Sequence, residues 1–354
     1  MTSSSSSPAQ HIPSTMVLTK DHVQINLSNA MRLLIELVEN EEWHNALAWV
    51  NKIPIESIES AEYRGTYLWA KAKCLDFLGE SINVESMYRE CIELHRHGSD
   101  PFQLIRSLVS LSSFYCYRSK PIKAKPLLNE ALHLVKTHEI SGNIHISVLY
   151  TLGIMHGRLR QHRVALEFFN EIEQLIQQNR SGLNKGSYHM AIGYSLICTK
   201  QFGKAENHYL QAHALFTASS DLSRIGLCCT YLGIIYRELM RYYLSHQNLE
   251  QAMDIFVAHD MSDQVNKVKV EQIILFLKTN KYDLAKTICM DLLTNSQDTI
   301  RGEAHYLLSK IHYSEGNIEE SLLTLEKALL YFQDNNHKWL ADAISFRNNI
   351  NLIL

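Results

Sequence analysis

From Val23 onward, apolar residues recur at spacings of three and four almost without interruption. Leu152, Met155, Ala165, Phe168, Phe169 and Ile172 follow this rule, as do Leu322, Leu325, Ala328 and Leu329. That spacing places the large side chains on one stripe of a helix. Alternating β-branched runs joined by Asn-Gly or Asp-Gly turns, the usual sign of strands, are missing. All six prolines lie at or before Pro126, so the rest of the chain contains no helix breaker of that kind. The pattern predicts an all-α chain.

The helices pair into hairpins with one grammar. The first helix, A, carries a small residue among large apolar ones, as in Tyr150-Thr-Leu-Gly153, Ala191-Ile-Gly193 and Tyr231-Leu-Gly233. A short polar turn then opens the second helix, B, as in Glu41-Glu-Trp43, Arg160-Gln-His162, Lys200-Gln-Phe202 and Asn280-Lys-Tyr282. Helix B shows a small, large, small triplet: Ala124/Leu128/Ala131, Ala205/Tyr209/Ala212 and Ser321/Leu325/Ala328. The small residue that anchors helix B recurs as Ala46, Val84, Ala124, Ala165, Ala205, Ser245, Ala285 and Ser321, in steps of 38, 40, 41, 40, 40, 40 and 36 residues. Small residues let neighbouring helices approach, and the large ones fill the grooves between them. A fixed step of this length means stacked repeats, each burying its apolar face on its neighbours. The last helix, about Lys338 to Ile353, has no partner and reads as the cap that an open-ended stack requires.

This grammar resembles the tetratricopeptide repeat, over roughly Asn26 to Phe332 in eight units. Ordinary repeats of that type run to about 34 residues. The longer unit, with phrases such as Leu232-Gly-Ile-Ile-Tyr-Arg-Glu-Leu239, resembles the sensor region of the bacterial Rap, NprR, PlcR and arbitrium-receptor peptide-sensing group. The resemblance implies a right-handed superhelical solenoid of about eight hairpins and a short peptide held in its concave groove. It also implies that helix A lines that groove. On this register the inward residues are Trp69, Lys73, Asp76, Arg106, Ser113 and Tyr150, then Tyr194, Arg237, Lys267, Tyr306, Lys310 and Tyr313. Aromatic rings supply contact area at low entropic cost, and cationic groups suit a peptide carboxylate. Two departures from the group stand out. Only twenty-odd residues precede the first repeat, too few for its helix-turn-helix or helical-bundle output domains, so the chain reads as a sensor without its output domain or as the sensor part of something longer. The concave asparagines that hold peptide backbone in that group are scarce, with only Asn266 near the inward face.

Composition narrows the function classes. Formal net charge is −3, from 34 basic and 37 acidic side chains, which gives no footprint for nucleic acid. The seven cysteines are scattered, mostly on apolar helix faces, and read as reduced thiols of a cytoplasmic protein. No apolar run is long enough to span a bilayer and no signal peptide opens the chain. Residues 1–19 are Ser-rich with two prolines and read as a disordered tail ahead of a single solenoid over 20–354. Eighteen histidines are present, but no HExxH or His-x3-His spacing, so neither metal nor other cofactor is expected. Motifs for a nucleophile, a phosphate loop or paired carboxylates are lacking, so the chain reads as a non-enzyme.

The leading reading is a regulatory sensor whose superhelix changes pitch, or changes its partner binding, when a short peptide or protein segment enters the groove. The alternative is a passive scaffold for protein assembly. Leu329-Leu-Tyr-Phe332 and the apolar end from Ile350 suggest homodimer formation in either case.

Overall fold

The computed structural model describes residues 16–19, 22–25, 27–80, 82–179, 185–335 and 337–352. Two compact units divide the chain, Met1–Gly182 and Leu183–Leu354. The first contains four helical hairpins: α1 (Leu27–Glu39) with α2 (Trp43–Val50), α3 (Ala61–Phe77) with α4 (Val84–Arg96), α5 (Pro101–Tyr117) with α6 (Pro121–Thr137), and α7 (Asn143–Arg158) with α8 (His162–Asn179). The second contains α9 (Lys185–Cys198) with α10 (Phe202–Ala218), α11 (Leu222–Glu238) with α12 (Tyr242–Ala258), α13 (Ser262–Lys278) with α14 (Tyr282–Asn295), and α15 (Asp298–Ser314) with α16 (Ile318–Asn335). Helix α17 (Leu340–Asn351) packs on α16 and closes the second unit.

One element departs from the helical expectation. Strands β1 (Met16–Thr19) and β2 (His22–Ile25) form an antiparallel pair, with Met16 opposite Ile25 and Thr19 opposite His22. The sequence reading placed β1 in a tail and β2 at the start of the helical pattern. The signal that it passed over is the period-two alternation of His22-Val-Gln-Ile25 beside the apolar Met16-Val-Leu18. Residues 1–15 of the expected tail lie outside the described residues.

The eight anchors are fully buried: Ala46, Val84, Ala124, Ala165, Ala205, Ser245, Ala285 and Ser321 each have 0% exposure. Where the anchor is serine its hydroxyl is put to use. Ser245 Oγ donates to the Gly233 carbonyl at 2.7 Å, and Ser321 Oγ donates to the Ser309 carbonyl at 2.8 Å, tying helix B to helix A. Five residues before every anchor, the A-to-B turn holds one residue in the left-handed conformation. These are Glu41, Gly79, Ser119, Arg160, Lys200, Met240, Asn280 and Gly316. The next backbone N–H reaches back across the helix end, as in Gln201 N–H to Leu196 O at 2.8 Å and Lys281 N–H to Phe276 O at 2.8 Å. This closes the last turn of helix A with its carbonyls satisfied and reverses the chain. The forty-residue step is therefore visible in backbone conformation as well as in side-chain size.

On the A helices, glycines give partner side chains room. A Cβ on Gly153 would stand 2.4 Å from the Phe169 ring, and one on Gly193 would stand 2.6 Å from the Tyr209 ring. Within each unit the A helices also touch one another, α1 with α3, α3 with α5 and α5 with α7, then α11 with α13 and α13 with α15. Consecutive B helices approach one another less. The A helices therefore form the tighter, inner side of each stack. Among the described residues, no helix is long and apolar enough to cross a membrane.

Candidate functional site

In the first unit, the residues read as inward-facing form an internally paired strip. The Trp69 indole is buried, and its N–H donates to Ser110 Oγ at 2.9 Å. The Arg106 guanidinium lies 5.3 Å from the centre of that ring and donates to Glu39 at 2.8 Å and Gln103 at 2.9 Å. Asp76 pairs with Arg118 at 3.4 Å. Lys73 is half-buried beside it, and desolvation holds its ammonium below the ordinary lysine range against the opposing pull of Asp76 and Glu41. Tyr150, half-buried, packs with its ring centre 6.2 Å from that of Phe169.

In the second unit, the expected residues fall into two groups. Arg237 is buried and engaged internally: it donates to Glu271 Oε2 at 2.6 Å and to Glu238 at 3.1 Å. That pair joins α11 to α13 and holds two A helices in register. Tyr194 is 43% exposed, with its ring edge on to Tyr231 at 5.9 Å. Lys267 is exposed.

Tyr306, Lys310 and Tyr313 come together. They line a cavity of about 460 Å³ on the inner side of the second unit, between α13, α15 and α17. Ile274 and Leu277 of α13 form one wall, and Trp339 and Phe346 form another. The rings brace one another: Tyr306 lies 5.5 Å from Trp339, and Tyr313 lies 5.3 Å edge on to Phe346. Lys310 Nζ stands 4.5 Å over the Tyr306 ring. Burial pulls the Lys310 ammonium below the ordinary lysine range, and Lys278 acts in the same direction, while Asp342 opposes them. Burial also pushes the Tyr306 phenol up to about 12, so it stays a neutral hydrogen-bond donor. A cavity of this size with apolar walls and few charged groups accommodates a small organic group or a few peptide side chains. Two ammonium groups, Lys278 and Lys310, and one carboxylate, Asp342, line it, a balance that favours an anionic group.

The side chains that α17 contributes were not among the expected site residues. Trp339, Asp342 and Phe346 follow three-and-four spacing, which marks one face of a helix. No anchor registers that helix, however, because it stands outside the eight hairpins. The position of α17 rests on a connector latch. Glu303 is buried, and its Oε1 meets His337 Nε2 at 3.0 Å and Lys338 Nζ at 3.3 Å. The His337 ring stacks on Phe332 at 4.3 Å. Of the apolar end expected to support a homodimer, Leu329, Phe332 and Ile350 are buried in this cap, while Leu330 and Leu352 are exposed.

The thiols behave as packing groups. Six of the seven are buried, and burial pushes Cys91, Cys228 and Cys289 up to about 12. Such thiols carry no thiolate at neutral pH.

No protein-family model matches the sequence, and no curated relative matches it. Solved structures do resemble it. A Rap protein complexed with Competence and Sporulation Factor is 14% identical, with 92% of this chain and 97% of that one covered and a TM-score of 0.64. NprR in complex with its cognate peptide NprX is 14% identical, with 80% and 83% covered and a TM-score of 0.63. A tetratricopeptide repeat protein from Parabacteroides merdae is 15% identical, with 81% and 98% covered and a TM-score of 0.54. Hairpin grammar, buried anchors and these likenesses agree: the chain has the tetratricopeptide-like helical solenoid fold of the Rap and NprR proteins.

Proposed function

We propose that this protein is a peptide-binding regulator that takes a short peptide on the inner, helix-A side of its hairpins. The observation that carries the reading is the aromatic cavity of the second unit, which combines apolar walls with the Lys310 ammonium. Such a site suits a peptide segment that presents an apolar side chain next to a carboxylate. The structural likeness to Rap and NprR, solved with Competence and Sporulation Factor and with NprX respectively, supports the same class of ligand. Because α17 forms one wall, a bound peptide bridges α13, α15 and α17 and stabilises the packing of the cap. Transmission to a partner then follows from the changed packing of the last hairpins. In this reading Trp69 and Arg237, paired with Ser110 and Glu271, hold the A helices together, and Lys310, Tyr313 and Phe346 meet the ligand.

The test is a thermal-shift screen of short peptides, followed by calorimetry on those that bind. A cognate peptide raises the unfolding temperature, and Lys310→Met weakens it while leaving the free protein's stability close to wild type. A peptide that binds Lys310→Met and wild type equally well refutes this placement of the site.

A further inference from the structure

The turns that join helix A to helix B in the last two hairpins of the first unit carry a concentration of positive charge outside the inner face. Arg118, Lys120, Lys123 and Lys125 occupy the α5–α6 turn and the start of α6, and Arg158, Arg160 and Arg163 occupy the α7–α8 turn. No acidic residue interrupts either stretch, and neither α6 nor α8 has one in its first turn. All seven cations are exposed.

Pairing sets the α7–α8 turn apart among the described residues. Ten of the fourteen described arginines meet a carboxylate: Arg118 is one, and the others lie outside these two stretches. The four without one are Arg32, Arg158, Arg160 and Arg163, so three of the four sit in a single turn. The chain has 37 acidic side chains, yet among the described residues none forms an ion pair with these three arginines. The two turns are contiguous, because the Arg158 guanidinium lies 5.8 Å from the centre of the Tyr117 ring at the end of α5. Tyr117 is 64% exposed and Ile122 is 75% exposed, so large apolar side chains stand among the cations.

We infer that this edge is a docking surface for an acidic polypeptide segment that also carries aromatic or aliphatic side chains, presented by a partner protein. Uncompensated guanidinium groups attract carboxylates and steer the encounter. Tyr117 and Ile122 supply the apolar contact that a purely ionic partner would leave unused. Nucleic acid fits less well, because the chain as a whole is acidic and exposed apolar groups gain nothing from a phosphate backbone. The surface shares no residue with the cavity of the second unit, so its existence does not depend on the peptide-sensor reading.

The experiment is fluorescence anisotropy on the full chain with a short labelled peptide of alternating Glu and Phe. Controls are the same peptide with Gln for Glu, and labelled oligo-dT. The expected result is binding of the Glu/Phe peptide that weakens with added salt and fails with the Gln/Phe peptide. The triple variant Arg158→Glu, Arg160→Glu, Arg163→Glu weakens it about tenfold or more, and Arg32→Glu leaves it unchanged. Glu41 already occupies the left-handed position equivalent to Arg160, so the reversal is compatible with the turn. If circular dichroism shows the triple variant unfolded, Arg160→Gln with Arg163→Gln is read in its place, with the same direction of effect. Three results overturn the inference: no binding of the Glu/Phe peptide to wild type, equal binding to wild type and the variant, or tighter binding of oligo-dT through the same arginines.

Discussion

Left-handed residues at the eight A-to-B turns permit a clean test of how the repeat is built. Met240 occupies such a turn with φ of 58°, and its side chain is 76% exposed. Its replacement by glycine therefore removes little packing, and the backbone bonds of the turn (Met240 N–H to Arg237 O, Arg241 N–H to Tyr236 O) remain available. An L residue in this conformation is disfavoured by roughly 1–2 kcal/mol because its Cβ crowds the carbonyl. Glycine escapes that penalty but loses about 0.5–1 kcal/mol through the larger freedom of its unfolded chain. The difference predicts that Met240→Gly stabilises the fold by about 0.5–1 kcal/mol. The reciprocal changes are Gly79→Ala and Gly316→Ala. Both glycines have positive φ, 82° and 83°, and an added Cβ at either meets nothing within 4 Å. Their loss is thus purely conformational, about 0.5–1 kcal/mol each. Urea unfolding followed by circular dichroism reads all three as shifts of the midpoint at constant slope. A midpoint lowered by Met240→Gly, or unmoved by Gly316→Ala, would refute the assignment of these turns as the conformational punctuation of the repeat.

Gly193→Ala forces a Cβ to 2.6 Å from the buried Tyr209 ring and costs about 1–3 kcal/mol, measurable in the same unfolding assay, whereas Gly203→Ala, with open space around it, does not. Glu271→Ala leaves the Arg237 guanidinium, whose side chain is only 7% exposed, with the Glu238 carboxylate and a long bond to the residue-271 carbonyl, and destabilises by about 3 kcal/mol, while Glu238→Ala, on the 36%-exposed partner, has a much smaller effect. Burial holds the imidazoles of His95, His145 and His305 below the ordinary histidine value, so the fold favours their neutral form. The unfolded chain takes up those protons near about pH 6.5, so stability is full above that pH and falls as pH drops below it. Urea midpoints across that range check the direction, and a midpoint that rises on acidification contradicts it. His95→Phe makes the fall shallower, since α10 and α12 already pack Phe216 and Phe256 against Gly186 and Gly226 as His95 packs against Gly65.

Much of this protein was legible from its sequence. The all-α class, the eight hairpins, the turn positions and the anchors all follow from steric rules that act along the chain. A small residue is required wherever two helices approach, and a left-handed residue wherever helix A ends, so the pattern repeats at the length of the unit. The β1–β2 pair escaped because four-residue strands carry too little pattern to stand out beside long helices. What stayed hidden was the fate of each polar side chain on helix A. The same register placed Arg237 and Lys310 on the inward side, yet Arg237 is closed off by Glu271, 34 residues away, and Lys310 faces a cavity. Trp69 likewise finds its partner, Ser110, one repeat further on.

Periodicity therefore determined the architecture, because close packing between neighbouring helices depends only on which residues are small and how far apart they stand. Tertiary structure alone decided the site. An ion pair or a cavity wall depends on two side chains from different hairpins arriving at one place, and their spacing along the chain carries no mark of that meeting. The cavity needed Trp339 and the Phe346 of α17, which have no counterpart in the repeat. The α7–α8 turn obeys the same rule, because whether a carboxylate from another helix comes beside its arginines depends on packing and not on spacing.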